Sequence, residues 1–306
     1  MGAMPRRLDS LAVVSAALSP DPRAAAVAAR QAGFGGLQFD AFSPTLNLPE
    51  LSGTGRREFL HVLSSQNCRL AGLRVDLGAK GLGPGSDVDR ALSQLQRVME
   101  AAVGLAAPLV CCELGPLPEP PPLENPRPTV TPELAGLILL PSFAPPAPQQ
   151  PAAAPDPFDS VFAATVDGAL AELGARADRM GVTLAIRSDL ASVAALNRAL
   201  LAARCPWFGV DLDPVAILRD AWHIDEIFSR LGPLIRHVRG RDAVRGADRR
   251  TKPATIGRGD TQWDQLLSNL DAAGYHGWIT IDPMEIDGRP AAAVSGRKYL
   301  EMHFVE

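Results

Sequence analysis

Eight short apolar segments, each followed by a stretch with helical periodicity, run from one end of this 306-residue chain to the other. They are LAVVSAA (11–17), GGLQFDA (35–41), LAGLRVDL (70–77), APLVCCEL (107–114), VTLAIRS (182–188), WFGVDLD (207–213), LIRHVRG (234–240) and GWITID (277–282). Apolar runs of this length suit parallel strands that are buried on both faces. Repeated β-then-α units leave two architectures, a closed (β/α)8 barrel and an open doubly wound sheet. Open sheets of that kind have fewer strands, so the count predicts an α/β TIM barrel spanning residues 1–306.

The intervening segments carry helix punctuation. In SDVDRALSQLQRVMEAA, Ser86 is the expected N-cap, with Asp89 three positions on. Val88, Ala91, Leu92, Leu95, Val98, Met99 and Ala102 fall on one face of that helix. A second helix runs from Phe158 to Met180 and stops at Gly181, where the chain needs a positive φ. A third begins at Thr261, turns Trp263, Leu266, Leu267 and Leu270 inward, and ends at Gly274.

One segment breaks the rhythm. Residues 116–157 hold more than half of the chain's 28 prolines around the apolar island LAGLILLPSF. Such a composition opposes regular helix and sheet. It is expected as a loop insertion after the fourth strand, anchored over the barrel mouth by Leu137 to Phe143; a linker between two domains is the alternative.

Net charge and location narrow the partners. A formal charge of −4 and a pI near 5.8 give no electrostatic footprint for nucleic acid. No segment has the uninterrupted apolar length of a membrane span. Cys68, Cys111, Cys112 and Cys205 form no CxxC pair, which fits free thiols in a reducing cytoplasm. The N-terminal MPRRLDSLAVVSAALSPDPRAAA superficially resembles a signal peptide. Asp9 ahead of the apolar run, and Asp21, Pro22 and Arg23 after it, point instead to a first strand followed by a helix.

Functional groups of (β/α)8 barrels sit at the C-terminal ends of the strands. Side chains alternate along a strand, so Asp211 shares a face with Asp213, His237 with Arg239 and Arg241, and Thr280 with Asp282. The last inward positions of the final four strands are then Arg187, Asp213, Arg239 and Asp282. Glu113 ends the fourth strand, facing either the mouth or a helix. The glycine-rich GLGPGSD (81–87) lacks GxGxxG spacing and contains Pro84, so it is expected as an ordinary βα loop. Arg258, Gly259 and Asp260 spell RGD, expected as coincidence in another loop, and His223 with Trp222 and Asp225 opens a surface helix.

The order and spacing of GVTLAI, FGVDLDP, IRHVRGRD and IGRGDTQWDQLLSNLDAAGYHGWITID resemble the xylose isomerase-like TIM-barrel family of sugar-phosphate isomerases and epimerases, from about Leu11 to about Phe304. The resemblance implies a sugar or sugar phosphate as the small-molecule partner, a divalent metal such as Mn²⁺, Mg²⁺ or Zn²⁺, and a homo-oligomer. Family members end strand five in Glu, strand six in Asp-x-x-His, strand seven in His-x-His-x-Lys-Asp and strand eight in Glu, and four of these residues hold the metal. Here Arg187 replaces the first Glu, Ala216 the His after Asp213, Arg239 the metal-binding His, and Asp282 the last Glu. On strand two, Gln38 stands where a Glu is common, with Asp40 two residues on.

A guanidinium has no lone pair to give a metal and is protonated at any accessible pH. The metal site is therefore expected to be degraded, with no cofactor. Three readings of the cluster remain open: a salt-bridged plug that fills the barrel end; a site in which Arg187 and Arg239, with His237, Asp211 and Glu113, bind an anionic sugar or polyol; and a relocated metal held by Asp211, Asp213, His237, Asp282 or Glu285. If chemistry survives, Asp213 or Asp282 is the expected base in a metal-free proton transfer, although arginine neighbours weaken a carboxylate as a base. A DNA-repair endonuclease of the same fold would need more histidines and a basic groove.

Overall fold

The computed structural model describes residues 10–120, 157–188, 191–247 and 249–303. Eight parallel strands close into a barrel: β1 (Leu11–Val14), β2 (Gly36–Asp40), β3 (Arg69–Val75), β4 (Val110–Glu113), β5 (Leu184–Arg187), β6 (Phe208–Leu212), β7 (Ile235–Gly240) and β10 (Ile279–Ile281). Closure is made by β1 pairing with β10, Leu11 opposite Ile279 and Val13 opposite Ile281. A closed sheet of parallel strands has no exposed edge and buries both faces, which is why apolar residues recur through every segment. Helices α1 (Pro22–Gln31), α2 (Gly53–Ser65), α3 (Val88–Gly104), α4 (Pro157–Met180), α5 (Val193–Ala203), α6 (Pro214–Arg219), α7 (Ile224–Leu231), α8 (Trp263–Ala272) and α9 (Arg289–His303) fill the spaces between strands.

Every sequence segment holds a strand shorter than itself, and only β3 starts outside its segment, one residue early at Arg69. The first segment leaves the sheet after Val14 and turns through a 3-10 helix at Ser15–Ala17. A further pair of strands, β8 (Asp242–Arg245) and β9 (Thr251–Ala254), forms an antiparallel hairpin after β7. Its short polar strands carry Pro253 and no apolar alternation, so no strand signal marks them in the sequence. Most of the Pro-rich 116–157 stretch, including the island at 137–143, lies outside the described residues.

Helix boundaries follow local capping chemistry. The N-cap of α3 is Asp87 and not Ser86: its carboxylate accepts from Arg90 N at 3.0 Å. A carboxylate both accepts this bond and complements the helix dipole, so it outcompetes the neighbouring hydroxyl. The expected face of α3 is buried, with Leu95, Val98 and Met99 fully covered. Helix α4 ends at Gly181, whose φ is +64°. The third expected helix is α8, entered two residues later than Thr261, and Trp263, Leu266, Leu267 and Leu270 are all buried. The four cysteines are free thiols, three of them buried. Among the described residues no helix is long and apolar enough to cross a membrane.

The outer core depends on close backbone approach between α4 and α5. A Cβ on Gly174 would stand 1.9 Å from Ala203 O, whereas one on Gly168, on the same helix, would meet nothing within 4 Å. Gly174→Ala should therefore destabilise the protein by about 1–3 kcal/mol. Gly168→Ala should be neutral or stabilising by up to about 1 kcal/mol, as glycine is a poor helix former. Urea denaturation of the two variants checks the pair; equal effects would contradict this packing.

Candidate functional site

The barrel interior is polar where barrels of this kind are normally filled by apolar side chains. Gln38 from β2, Cys111 from β4, Asp211 from β6, His237 from β7 and Thr280 beside them on β10 are all buried. Gln38 Nε2 lies 3.3 Å from Cys111 Sγ and 3.4 Å from His237 Nε2, contacts between non-adjacent strands that only an inward orientation permits. His237 Nδ1 is 2.6 Å from Asp211 Oδ1, and its Nε2 is 2.8 Å from Thr280 Oγ1. An ionised Asp211 can only accept, so Nδ1 carries a proton and donates to it, while Nε2 faces the Thr280 hydroxyl.

Above this layer stand the arginines. Arg239, 4% exposed, sits between two carboxylates, with Nε 3.3 Å from Asp211 Oδ2 and an NH2 nitrogen 3.3 Å from Asp282 Oδ2. His237 therefore fixes Asp211 from below, and Asp211 fixes Arg239. Arg187 pairs with Glu113 and lies 3.7 Å from Asp213 Oδ2 and 4.0 Å from Asp211 Oδ2. Arg241 bridges Asp213 at 2.7 Å and Glu285 at 2.6 Å. Arg187, Asp213, Arg239 and Asp282 are thus brought together as expected, and Glu113 faces the mouth.

Two members of the network lie on strands that carry no such expectation. Arg74 on β3 donates from Nε to Asp40 Oδ1 at 2.6 Å and from NH1 to Asp282 Oδ2 at 2.9 Å. The signal is present in both strands, since Arg74 and Asp40 are charged residues near the C-terminal ends of largely apolar segments. Together these residues surround a cavity of about 650 Å³ open at the C-terminal face. Phe42, Thr251 and Met284 contribute to its rim.

Electrostatics follow from this geometry. Burial alone would raise the Asp211 carboxyl, but the charges of His237, Arg239 and Arg187 and the bond from His237 bring it down to about 2. Burial likewise acts to raise Asp282, and Arg239, Arg74, Arg241 and the Met284 amide overcome it and lower the carboxyl. Burial disfavours the charge on Arg239, yet Asp211, Asp282 and Asp213 hold it firmly protonated. Cys112 is pushed up to about 12 by burial and by Asp211, and Cys111 is raised for the same two reasons. Both thus remain thiols at neutral pH.

The surrounding loops are built internally. Asp242, 3% exposed, accepts from the amides of Ala243 (2.8 Å), Gly257 (2.9 Å), Gly259 (3.2 Å) and Thr261 (3.2 Å). This carboxylate ties the loop before α8 to the end of β7. Gly259 is the centre of the RGD triplet, and a Cβ there would stand 2.2 Å from Asp242 Oδ1. In the 81–87 loop, Leu82 N donates to Leu114 O at 2.8 Å and Gly83 N to Lys80 O at 2.6 Å, so these amides are spent within the protein.

Among the described residues, the one group of His, Cys and acid side chains close enough to share an ion is Cys111, Asp211 and His237, with ligating atoms within 4.8 Å of one another. Both ring nitrogens of that histidine are engaged, the thiol is held protonated, and Arg239 stands against the carboxylate. Asp213, His237 and Asp282, an alternative ion set expected from the sequence, are separated by arginine partners: Asp213 binds Arg241, and Asp282 binds Arg74 and Arg239.

Comparison with known proteins places this geometry in context. The family model described as xylose isomerase-like TIM barrel matches residues 26–302. No match was found among curated protein sequences. Among solved structures, D-psicose 3-epimerase from Clostridium cellulolyticum H10, crystallised with D-tagatose, superposes with a TM-score of 0.67 at 15% identity, covering 96% of this chain and 99% of its own. A xylose isomerase-like TIM barrel protein from Mycobacterium smegmatis in complex with magnesium gives 0.64 at 16% identity, covering 92% of this chain and 88% of its own. A xylose isomerase domain protein from Planctomyces limnophilus gives 0.64 at 16%, covering 90% and 88%. At such identities these structures are evidence of shared fold.

Removing one partner of a buried ion pair leaves the other uncompensated. Asp211→Asn should destabilise the fold by about 3–5 kcal/mol. Glu285→Gln, at the exposed rim of the same network, should cost less than about 1 kcal/mol. Denaturant midpoints of the two variants check this ordering. Asp211 and Asp282 have folded pKa values below their unfolded value near ~4. Their stabilisation is complete above that value and is lost as pH falls through the folded values, about 2 for Asp211. Denaturation free energy measured at successive pH values should decline from about pH 4 downward, and Asp211→Asn should flatten that decline.

Proposed function

The chain belongs to the xylose isomerase-like TIM-barrel family, and from that starting point we propose that its barrel mouth binds a small sugar or polyol and does not turn it over by metal-assisted isomerisation. The carrying observation is Arg239, buried between Asp211 and Asp282 where the resemblance puts a metal-binding histidine. Its guanidinium puts a fixed positive charge near the metal's place without offering an open coordination position.

The residues present do not fit a divalent ion. Of the four positions that the resemblance assigns to the metal, Arg187 and Arg239 have no lone pair, and Asp213 and Asp282 are held by arginines. A hard cation there would have to break those pairs and sit beside two guanidiniums. The buried Cys111, Asp211 and His237 group is disfavoured for the same reason, with Arg239 against its carboxylate.

Proton transfer by the chain's own acids is disfavoured as well. Asp282 is lowered by Arg239, Arg74 and Arg241 against the effect of burial, making it a poor base. Asp213 is tied to Arg241 and accepts from the Val215 amide at 3.0 Å. Binding is another matter. Carboxylates and guanidiniums in alternation supply both acceptors and donors for sugar hydroxyls, and the cavity of about 650 Å³ has room for a monosaccharide. Solved structures of this fold include an epimerase crystallised with D-tagatose, which supports a sugar-sized ligand.

Isothermal titration against a panel of ketoses, aldoses and sugar alcohols tests the binding half, and chromatographic assay of the same sugars, with and without added Mn²⁺, tests the catalytic half. Saturable binding of at least one compound and no interconversion in either condition are expected. Mn²⁺-dependent epimerisation or isomerisation would contradict the proposal.

A further inference from the structure

The charge of the ligand can be read from the way the mouth is already neutralised. Arg74, Arg187, Arg219, Arg239 and Arg241 line the cavity, and each is engaged by at least one carboxylate. Arg219 is gripped by Asp220 through two nitrogens, at 3.0 and 2.7 Å. Six acids share the lining with these five arginines, among them Asp76 and Glu285 toward the outside. Asp213 and Asp220 add two further carboxylates directly behind the arginines. The mouth therefore carries more negative than positive charge, although arginine is its most conspicuous residue.

We infer that this site takes a polyol or monosaccharide without an anionic group and rejects its phosphorylated or carboxylated counterparts. This rests on the sugar-binding reading above and replaces the anionic ligand that Arg187 and Arg239 suggest when only the sequence is considered. A phosphate or carboxylate needs guanidinium donors whose charge is not already spent. At Arg187 it would meet Glu113, and at Arg239 it would meet Asp211 and Asp282, each already paired with that guanidinium. It would either stand beside a carboxylate of the same sign or displace it and leave it unpaired in a partly or wholly buried place. A hydroxyl group makes no such demand. It donates to a carboxylate and accepts from a guanidinium that keeps its ion pair, since a guanidinium has five N–H groups. An amine-bearing sugar would add a favourable charge.

The test is isothermal titration of the full chain at low ionic strength with D-fructose, D-tagatose, mannitol and D-glucosamine, compared with the phosphate monoester of D-fructose and with D-glucuronate. The expected result is that a neutral or amine-bearing compound binds at least ~10-fold more tightly than either anion. Glu285→Gln, which removes one rim carboxylate, should shift the preference several-fold toward the phosphate monoester. Tighter binding of an anion by the unaltered protein would overturn the inference and leave the sugar-binding reading standing. Failure of every compound to bind would overturn that reading, and the inference with it.

Discussion

A guanidinium buried in the throat of a parallel barrel has to be compensated from several directions, and Arg239 dictates much of what surrounds it. Asp211 and Asp282 are its immediate partners, each 3.3 Å away. Asp211 in turn requires His237, and His237 requires Thr280 and Gln38 to occupy its other nitrogen. On the outer side, Asp282 is shared with Arg74, and Arg74 with Asp40. The result is a connected polar network across β2, β3, β6, β7 and β10, in which each pair is meaningful only because the next is present. Such networks contribute little net stability over an apolar filling, but they are costly to leave half-made.

The same constraint shapes function. A metal in a sugar isomerase supplies a concentrated positive charge with open coordination positions. Arg239 supplies charge without those positions, and its neighbours consume most of that charge. On the proposed reading, what is left is a walled cavity of donors and acceptors that recognises hydroxyl groups and does not move protons. A plug that merely fills the barrel would leave no cavity, whereas about 650 Å³ remains open above the network.

Much of this was legible in the sequence because it rests on periodicity and on the interruption of periodicity. Eight apolar segments defined the barrel, and a charged residue at the inward end of the last four strands marked the site. Glu113 was visible as a candidate, but its facing depended on the strand's register, which places Glu113 opposite Arg187. Arg74 and Asp40 carry the same kind of signal on β3 and β2, but the four metal positions implied by the resemblance lie on the later strands. The hairpin of β8 and β9 and the four amides gathered by Asp242 could not be anticipated, because loop structure held by a single carboxylate has no hydrophobic pattern. The N-cap of α3 fell one residue from the expected serine because two adjacent residues both have capping chemistry. Inward arginines alone point to an anionic ligand, and the inference of an uncharged one depends on the acids that reach those arginines from neighbouring strands and loops.

The measurement that bears most directly on this account is the metal content of protein purified without chelators, read together with the shift in melting temperature on adding Mn²⁺, Mg²⁺ or Zn²⁺. If Arg239 and its partners have taken the metal's place, the protein carries no stoichiometric ion and its melting temperature does not respond to any of the three. A stoichiometric ion, or a saturable metal-dependent rise that Asp282→Asn abolishes, would mean that the acids at the mouth serve a metal after all.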